Sequence, residues 1–163
     1  MKMKRPLLPV LMLVWIAALL TGCGKGGTAR PPNDPAPVGG QIVAQGSFAA
    51  SAQDKTVTGS ATVYRLSDSF GIPTGEYVIR LSEFQAPAES GLQVIVIANG
   101  SPVLSLALRA PSGNMNYSVS YGGSVLPTWN KVVIHSSPAN LDYATANLVA
   151  SQIITPQGSD ISF

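Results

Sequence analysis

The stretch Tyr77-Val78-Ile79-Arg80-Leu81-Ser82-Glu83-Phe84 decides the fold class. Its apolar side chains at Tyr77, Ile79 and Leu81 alternate with polar ones, and this period of two is that of a β-strand. Such alternation is typical of an antiparallel sheet that packs one side on a core and leaves the other side exposed. The stretch therefore predicts a half-buried strand.

Similar short runs continue from Gln41 onward. They are rich in Val, Ile, Tyr and Thr and are separated by Gly, Pro, Asn and Ser, which is the pattern of an all-β domain. We predict strands near residues 42–49, 57–66, 77–84, 92–98, 103–109, 117–121, 131–135 and 142–149. Turns are predicted at residues 70–75, at residues 99–102 and at Gly122-Gly123.

These elements favour a compact antiparallel β-sandwich or barrel. Residues 92–97 are nearly all apolar, so they are predicted to form a central strand that is covered on both faces. The alanines of residues 142–149 also permit a helix, so a mixed α+β fold stays open. Residues 151–163 are expected to be a last edge segment or a frayed tail.

The N-terminus has the pattern of a secretory signal. Lys2, Lys4 and Arg5 precede an apolar run at residues 7–20, which is shorter than the 20 or so apolar residues of a membrane span. The run is followed by Thr21-Gly22-Cys23, which contains the only cysteine. An ordinary secretory signal with a chance cysteine would also fit this arrangement.

The tetrapeptide Leu20-Thr21-Gly22-Cys23 resembles the lipobox of bacterial lipoproteins, which is cut just before its cysteine. The resemblance implies that residues 1–22 are a signal peptide and that Cys23 carries a diacylglyceryl thioether, with a fatty acid such as palmitate on its amine. Two or three acyl chains anchor a protein firmly. Because Gly24 follows the cysteine, the resemblance implies the outer membrane in a Gram-negative host. In a Gram-positive host it implies the outer face of the plasma membrane.

Composition divides the mature chain into a tether and a domain. Residues 23–40 hold the lipidated cysteine and a Gly/Pro-rich tether with almost nothing to bury. The seventeen residues after Cys23 would reach about 56 Å when fully extended. Residues 41–163 are predicted to form the β domain, which would therefore stand away from the membrane.

Charge and cysteine content exclude several functions. Without Lys2, Lys4 and Arg5, seven basic residues face eight acidic ones, with no basic stripe for nucleic acid. Lipidation of Cys23 would leave no thiol for a disulfide, a zinc–thiolate site or a cysteine nucleophile. We predict no metal site and no bound cofactor.

Six pieces between Gly46 and Leu148 resemble, in order, the DM13 domain of extracellular and cell-surface proteins. The pieces are Gly46-Ser47-Phe48 (family Gly-x-Phe), residues 58–64 (Gly-x-Ala-x-Val-Tyr), 77–84 (Leu-Arg-Leu-Glu-x-Phe), 91–96 (Pro-Asp-Leu-x-Val-Tyr), 113–117 (Gly-x-Gln-x-Tyr), and 132–136 with 141–148 (the closing segment). The resemblance implies the family's fold and, through a cysteine in its closing Ile-Trp-Cys, a redox or electron-transfer role.

This chain departs from the family at the residues that would carry redox chemistry. The closing triplet is Ile134-His135-Ser136, and the serine at the usual cysteine position cannot form a thiolate or a disulfide. The family's Gly-Pro-Asp has become Glu89-Ser90-Gly91, which removes a carboxylate from its usual place. The redox role is therefore the alternative interpretation rather than the preferred one.

His135 is the only histidine. It could be a metal or haem ligand or a general base, with Met115 as a second soft ligand if the fold brought the two together. We favour a partly buried ring with a hydrogen-bond partner. Glu76, Glu83 and Glu89 could form the carboxylate pair of a glycosidase, but most are expected to be solvated.

Aromatic side chains could line a sugar or peptide site, although most are predicted to pack in the core. They are Tyr64, Tyr77, Tyr117, Tyr121, Trp129 and Tyr143. Trp129 is the best candidate for an exposed contact, but packing is the preferred role for it as well.

The sequence thus predicts a non-catalytic binding or interaction module on a lipid anchor. No residue is assigned a catalytic role, because no nucleophile–base motif is visible. The expected partner is an envelope protein or a glycan. A redox domain is the alternative, and a hydrolase is the least favoured interpretation.

Overall fold

A computed structural model describes residues 30–52, 54–121 and 128–151. The predicted signal peptide, Cys23, the first part of the tether, the Gly122-Gly123 turn and residues 152–163 lie outside these ranges. The described residues contain no helix, and thus none that is long and apolar enough to cross a bilayer.

The described residues form nine strands. They are β1 (Gln41–Ala50), β2 (Thr58–Ser67), β3 (Pro73–Gln85), β4 (Leu92–Ala98), β5 (Ser101–Ala107), β6 (Ser112–Ser120), β7 (Trp129–Ser136), β8 (Leu141–Asn147) and β9 (Val149–Ala150). Each strand pairs with its neighbours in the antiparallel sense. The all-β prediction is confirmed, and the segment for which a helix stayed open is β8 followed by β9.

The strands make one sheet in the order β5-β4-β7-β8-β1-β2-β3-β6, with β9 beside β1. The sheet curls into a half-barrel, and β1 is the shared strand: its first part pairs with β2 and its last residues pair with β8. Gly46 lies at this change of partner. A Cβ atom there would stand 2.1 Å from the carbonyl oxygen of Asn147, so this approach of the two backbones requires glycine.

The inner side of the curl holds a single apolar core to which both halves of the sheet contribute. Tyr77 of β3 meets Trp129 of β7 with ring centroids 5.5 Å apart, and Phe48 of β1 meets Phe84 of β3 at 5.6 Å. Both are edge-to-face contacts, the arrangement that aromatic pairs prefer. The first contact joins strands four positions apart in the sheet order, and the second joins strands two positions apart.

The prediction that β4 is covered on both faces was wrong. Leu92, Val94 and Val96 are buried, whereas Gln93, Ile95 and Ile97 are only half-buried. The reason is that the half-barrel has one layer of sheet here, so the outer face of β4 meets solvent. The run of residues 92–97 is nearly all apolar because the outer face of β4 carries no charged side chain, and a second layer of structure does not cover that face.

Residues 32–40, which we call the strap, lie across the outer face of β6, β3 and β2. The strap begins in a parallel bridge between Asn33 and Asn114 of β6 and ends with Gly40 packed against Tyr64 of β2. Beneath it, Val78 and Arg80 of β3 are 5% and 9% exposed. Composition placed these residues in the tether, and the structure attaches them to the domain.

Candidate functional site

His135 lies on the outer face of β7 and is paired with Asp142 across the β7–β8 hairpin. Its Nδ1 atom is 2.7 Å from the carboxylate Oδ1 of Asp142, and its side chain is 20% exposed. This is the partly buried, hydrogen-bonded ring that was preferred from the sequence, and that prediction is confirmed.

Met115 and Ser136 do not join His135 in a site. Met115 is fully buried in the core, whereas His135 points outward, because neighbouring residues on a strand face opposite sides. Ser136 is 2% exposed, and its Oγ accepts a long hydrogen bond from the backbone N–H of Ala139. The position where the family has cysteine is therefore turned inward, away from the His135 ring.

The three candidate carboxylates are exposed, as expected. Glu76 and Glu83 lie toward opposite ends of β3 and are seven residues apart, a separation of about 23 Å along the strand. This spacing is too wide for the carboxylate pair of a glycosidase. Across the described ranges, moreover, His, Cys, Asp and Glu side chains nowhere form a group of three that could hold a metal ion.

Glu89 instead belongs to a cluster that we call the clamp: Lys55, Glu89 and Tyr143. The Glu89 carboxylate accepts hydrogen bonds from the Lys55 ammonium and from the buried Tyr143 hydroxyl, and the ammonium lies 5.1 Å from the Tyr143 ring centroid. The hydrogen bond from Lys55 is the main reason why the pKa of Glu89 is lowered, and the same bond raises the pKa of Lys55. The clamp ties two loops to β8, a structural role.

Trp129 packs rather than presenting a free contact surface. It is 7% exposed and, besides Tyr77, it meets Tyr121 at 6.1 Å in another edge-to-face contact. Tyr77, Tyr117 and Tyr143 are also buried, whereas Tyr121 is 40% exposed. The prediction that most of the aromatic residues form core is confirmed.

A cavity of about 280 Å³ opens beside Trp129. Its walls include Val43, Val63 and Leu148, with Thr128 and Asn130 as polar members. The described lining holds no titratable side chain, so it offers apolar packing rather than acid–base chemistry.

Two neighbouring exposed apolar side chains were not predicted from the sequence. They lie at the β2–β3 hairpin tip, residues 68–72, which we call the tip. Phe70 is 87% exposed and Ile72 is 61% exposed. Residues 70–75 were predicted to be a turn from their Gly and Pro, but the position of Phe and Ile within that turn was the signal that could have identified an apolar projection.

The tip is held by one carboxylate. Oδ1 of Asp68 accepts hydrogen bonds from the backbone N–H of Phe70 at 2.9 Å and of Ile72 at 2.8 Å. The backbone N–H of Asp68 donates to the carbonyl oxygen of Ile72, and that of Gly71 donates to the carbonyl oxygen of Asp68. Because these four backbone N–H groups have acceptors within the tip, it presents its two apolar side chains in a defined arrangement.

Cys23, the predicted lipid-attachment residue, lies outside the described residues. Comparison of the chain with protein-family models, with curated proteins and with solved structures found no match.

Proposed function

We propose that this chain is a bacterial lipoprotein, anchored through Cys23, whose β domain is a non-catalytic binding module in the cell envelope. Support for the anchor comes from the order of positive start, short apolar run and lipobox-like Leu20-Thr21-Gly22-Cys23. The DM13-like segments support an extracytoplasmic domain. With Gly24 after the cysteine, the proposed location in a Gram-negative host is the outer membrane.

The observation that carries the binding role is the tip. Phe70 and Ile72 are exposed to solvent on a turn held by the hydrogen bonds of Asp68, although Phe and Ile are among the residue types that are most often buried. Neither side chain can form a hydrogen bond, whereas a glycan site needs polar partners for sugar hydroxyls. The proposed partner is therefore an envelope protein with an apolar surface.

The titratable residues singled out in the sequence favour binding over chemistry. His135 is engaged by Asp142, and Glu89 is engaged by Lys55 and Tyr143. Each group lies in a separate part of the fold, and none lines the cavity beside Trp129. Within the described residues, His135 and Glu89 therefore do not face each other across that cavity.

The anchor is tested by growing cells that express the chain with labelled palmitate. We expect label in the wild-type protein and none in Cys23→Ser, which should leave the membrane fraction. Label retained in Cys23→Ser, or wild-type protein without label, would contradict the anchor.

The binding surface is tested by photo-crosslinking in the native envelope. p-Benzoylphenylalanine replaces Phe70 in one variant and Val103, an exposed apolar residue of β5, in the control. We expect one discrete crosslinked protein from position 70 that is lost on adding Ile72→Ser and is competed by purified wild-type domain. Equal crosslinking from both positions would contradict a specific surface.

The redox alternative has one support, the resemblance to DM13, and Ser136 opposes it. The full mature chain, purified from its own host, is examined by ultraviolet–visible spectroscopy in oxidised and reduced form and by native mass spectrometry. A binding module should give the polypeptide mass and no visible band. A stoichiometric chromophore with a redox-dependent spectrum would establish the alternative.

A further inference from the structure

The strap is joined to β6 through its backbone. The carbonyl oxygen of Pro32 accepts from the N–H of Asn114 at 2.8 Å, and the N–H of Asp34 donates to the carbonyl oxygen of Asn114 at 3.0 Å. A Cβ atom on Gly113 would stand 2.2 Å from the Pro32 carbonyl oxygen. The strap therefore approaches β6 as closely as a paired strand, and glycine at position 113 makes room for it.

Side chains hold the strap at its next residues. Oδ2 of Asp34 accepts from Arg109 Nη1 at 2.6 Å and from the backbone N–H of Asn116 at 2.9 Å. Arg80 Nη1 donates to the carbonyl oxygens of Asp34 and Pro35 at 2.8 and 2.9 Å. Because Arg80 is 9% exposed, loss of these acceptors would leave a nearly buried guanidinium short of partners, which is costly.

The strap enters the domain at the end opposite the tip. It meets β6 at Asn114, next to Gly113, which pairs with Phe84 of β3. The tip precedes Pro73 at the other end of β3, eleven residues away, or about 36 Å along the strand. Cys23 is eight residues before Pro31, and eight residues span at most about 28 Å.

From this geometry we infer that the strap orients the anchored domain, so that the tip points away from the bilayer that holds Cys23. This inference rests on the proposed anchor and deepens the proposed function. The strap thus takes residues 32–40 out of the predicted tether, so the chain length between Cys23 and the strap is that of residues 24–31. The surface offered to a partner is the tip end, and the partner is an envelope protein on the side away from the anchoring membrane.

Energy transfer from a single tryptophan tests the orientation. Trp129 is the one tryptophan after Cys23, so Trp129→Phe gives a background into which either Phe70→Trp or Leu141→Trp is introduced. Both positions are exposed, and Leu141 pairs with Ser136 at the end of the sheet that contains Leu92, opposite the tip. The mature chain is coupled through Cys23 to a maleimide lipid in phosphatidylethanolamine/phosphatidylcholine vesicles that contain dansyl-headgroup lipid.

We expect several-fold stronger transfer from position 141 than from position 70. The paired substitution Asn33→Ala/Asp34→Ala, which removes the hydrogen bonds made by the Asn33 and Asp34 side chains, should reduce this difference. Equal transfer from both positions with an intact strap, or stronger transfer from position 70, would overturn the inference. If the Trp129→Phe background unfolds, the native Trp129 at the tip end serves instead: its transfer should be weak, and it should rise in Asn33→Ala/Asp34→Ala.

Chemical coupling separates this inference from the anchor itself. The vesicle experiment reports orientation whether or not cells lipidate Cys23. Absence of palmitate in cells together with unequal transfer in vesicles would contradict the proposed function alone. Palmitate in cells together with equal transfer would contradict the orientation alone.

Discussion

The carboxylate of Asp34 lies 2.6 Å from the guanidinium of Arg109, although 75 positions separate the two residues in the sequence. This ion pair attaches a segment that is rich in proline and glycine to the loop that leads into β6. The contact turns part of an apparent linker into part of the domain. It also makes the attachment dependent on the charge of one carboxylate.

Attachment of the strap should therefore weaken in acid. Asp34 accepts a hydrogen bond from the backbone N–H of Asn116 and another from Arg109, and these lower its pKa below the ordinary value of 3.8. A carboxylate whose pKa is lowered in the folded state stabilises the fold at pH values above its ordinary pKa. This stability is lost as the pH falls through the pKa of the folded state. Hydrogen exchange of the Asn114 and Asn116 amides should accelerate below pH 3.8 relative to core amides. In Asp34→Ala exchange should be fast at neutral pH, and an unchanged rate would contradict the role of Asp34.

The clamp should make two contributions to the stability of the fold, one that is lost in acid and one that is lost in alkali. Because the pKa of Glu89 is lowered, its contribution to stability is present above pH 4.5 and is lost as the pH falls through its pKa in the folded state. The raised pKa of Lys55 means that its contribution is lost only as pH rises above 10.5. Glu89→Gln should lower the Tm at neutral pH and flatten its decrease in acid.

The matched control for the clamp is Glu76→Gln, which alters an exposed carboxylate of β3. It should leave the Tm nearly unchanged at neutral pH. Tyr143→Phe, which removes the buried hydroxyl that donates to Glu89, should cost about 1 kcal/mol of unfolding free energy. Equal Tm values for Glu89→Gln and Glu76→Gln would show that the clamp adds nothing to stability.

The change of partner along β1 should depend on Gly46. Gly46→Ala places a Cβ atom 2.1 Å from the Asn147 carbonyl oxygen, so β1 and β8 must separate, and we expect a loss of about 3 kcal/mol. Gly71→Ala is the control, because its φ is +79° but its Cβ would meet nothing within 4 Å. The backbone strain there should cost only about 1 kcal/mol. Urea unfolding measures both, and a smaller loss for Gly46→Ala than for Gly71→Ala would contradict this view of β1.

The tip should lose its defined shape without Asp68. Asp68→Ala removes the acceptor of two backbone N–H groups and should cost about 1 kcal/mol. Asp68→Asn keeps an acceptor oxygen, since asparagine forms the same kind of turn, and should cost less. Faster amide exchange at Phe70 and Ile72 in Asp68→Ala, but not in Asp68→Asn, is the expected signature. Equal exchange in the two variants would show that Asp68 does not order the tip.

Local patterns predicted much of the fold because they act over a few residues. The predicted limits of β4 agree with the structure, and Asn99-Gly100 forms the β4–β5 turn with positive φ at both residues. His135 and Asp142 meet because they lie on adjacent strands of one hairpin. Alternation and turn residues carry this information directly.

The strap could not be predicted in the same way. Proline and glycine indicate that a segment lacks regular structure, but they do not show what its carbonyl groups contact. The backbone carbonyl oxygens of Asp34 and Pro35 accept hydrogen bonds from Arg80, which lies 46 and 45 positions later in the sequence. The tip was missed for a related reason: turn signals describe the backbone, whereas the exposure of Phe70 depends on the absence of a packing neighbour.

Protection of the tip in the native envelope tests the central claim most directly. Because Cys23 is expected to be lipidated, Ser69→Cys and Ser105→Cys each supply the only free thiol, one in the tip and one on exposed β5. Maleimide labelling rates are measured in intact envelopes and in purified protein. We expect several-fold slower labelling of position 69 in the envelope than in purified protein, a faster rate again in Phe70→Ser/Ile72→Ser, and little change at position 105. Equal rates at position 69 in both preparations would contradict a partner at the tip.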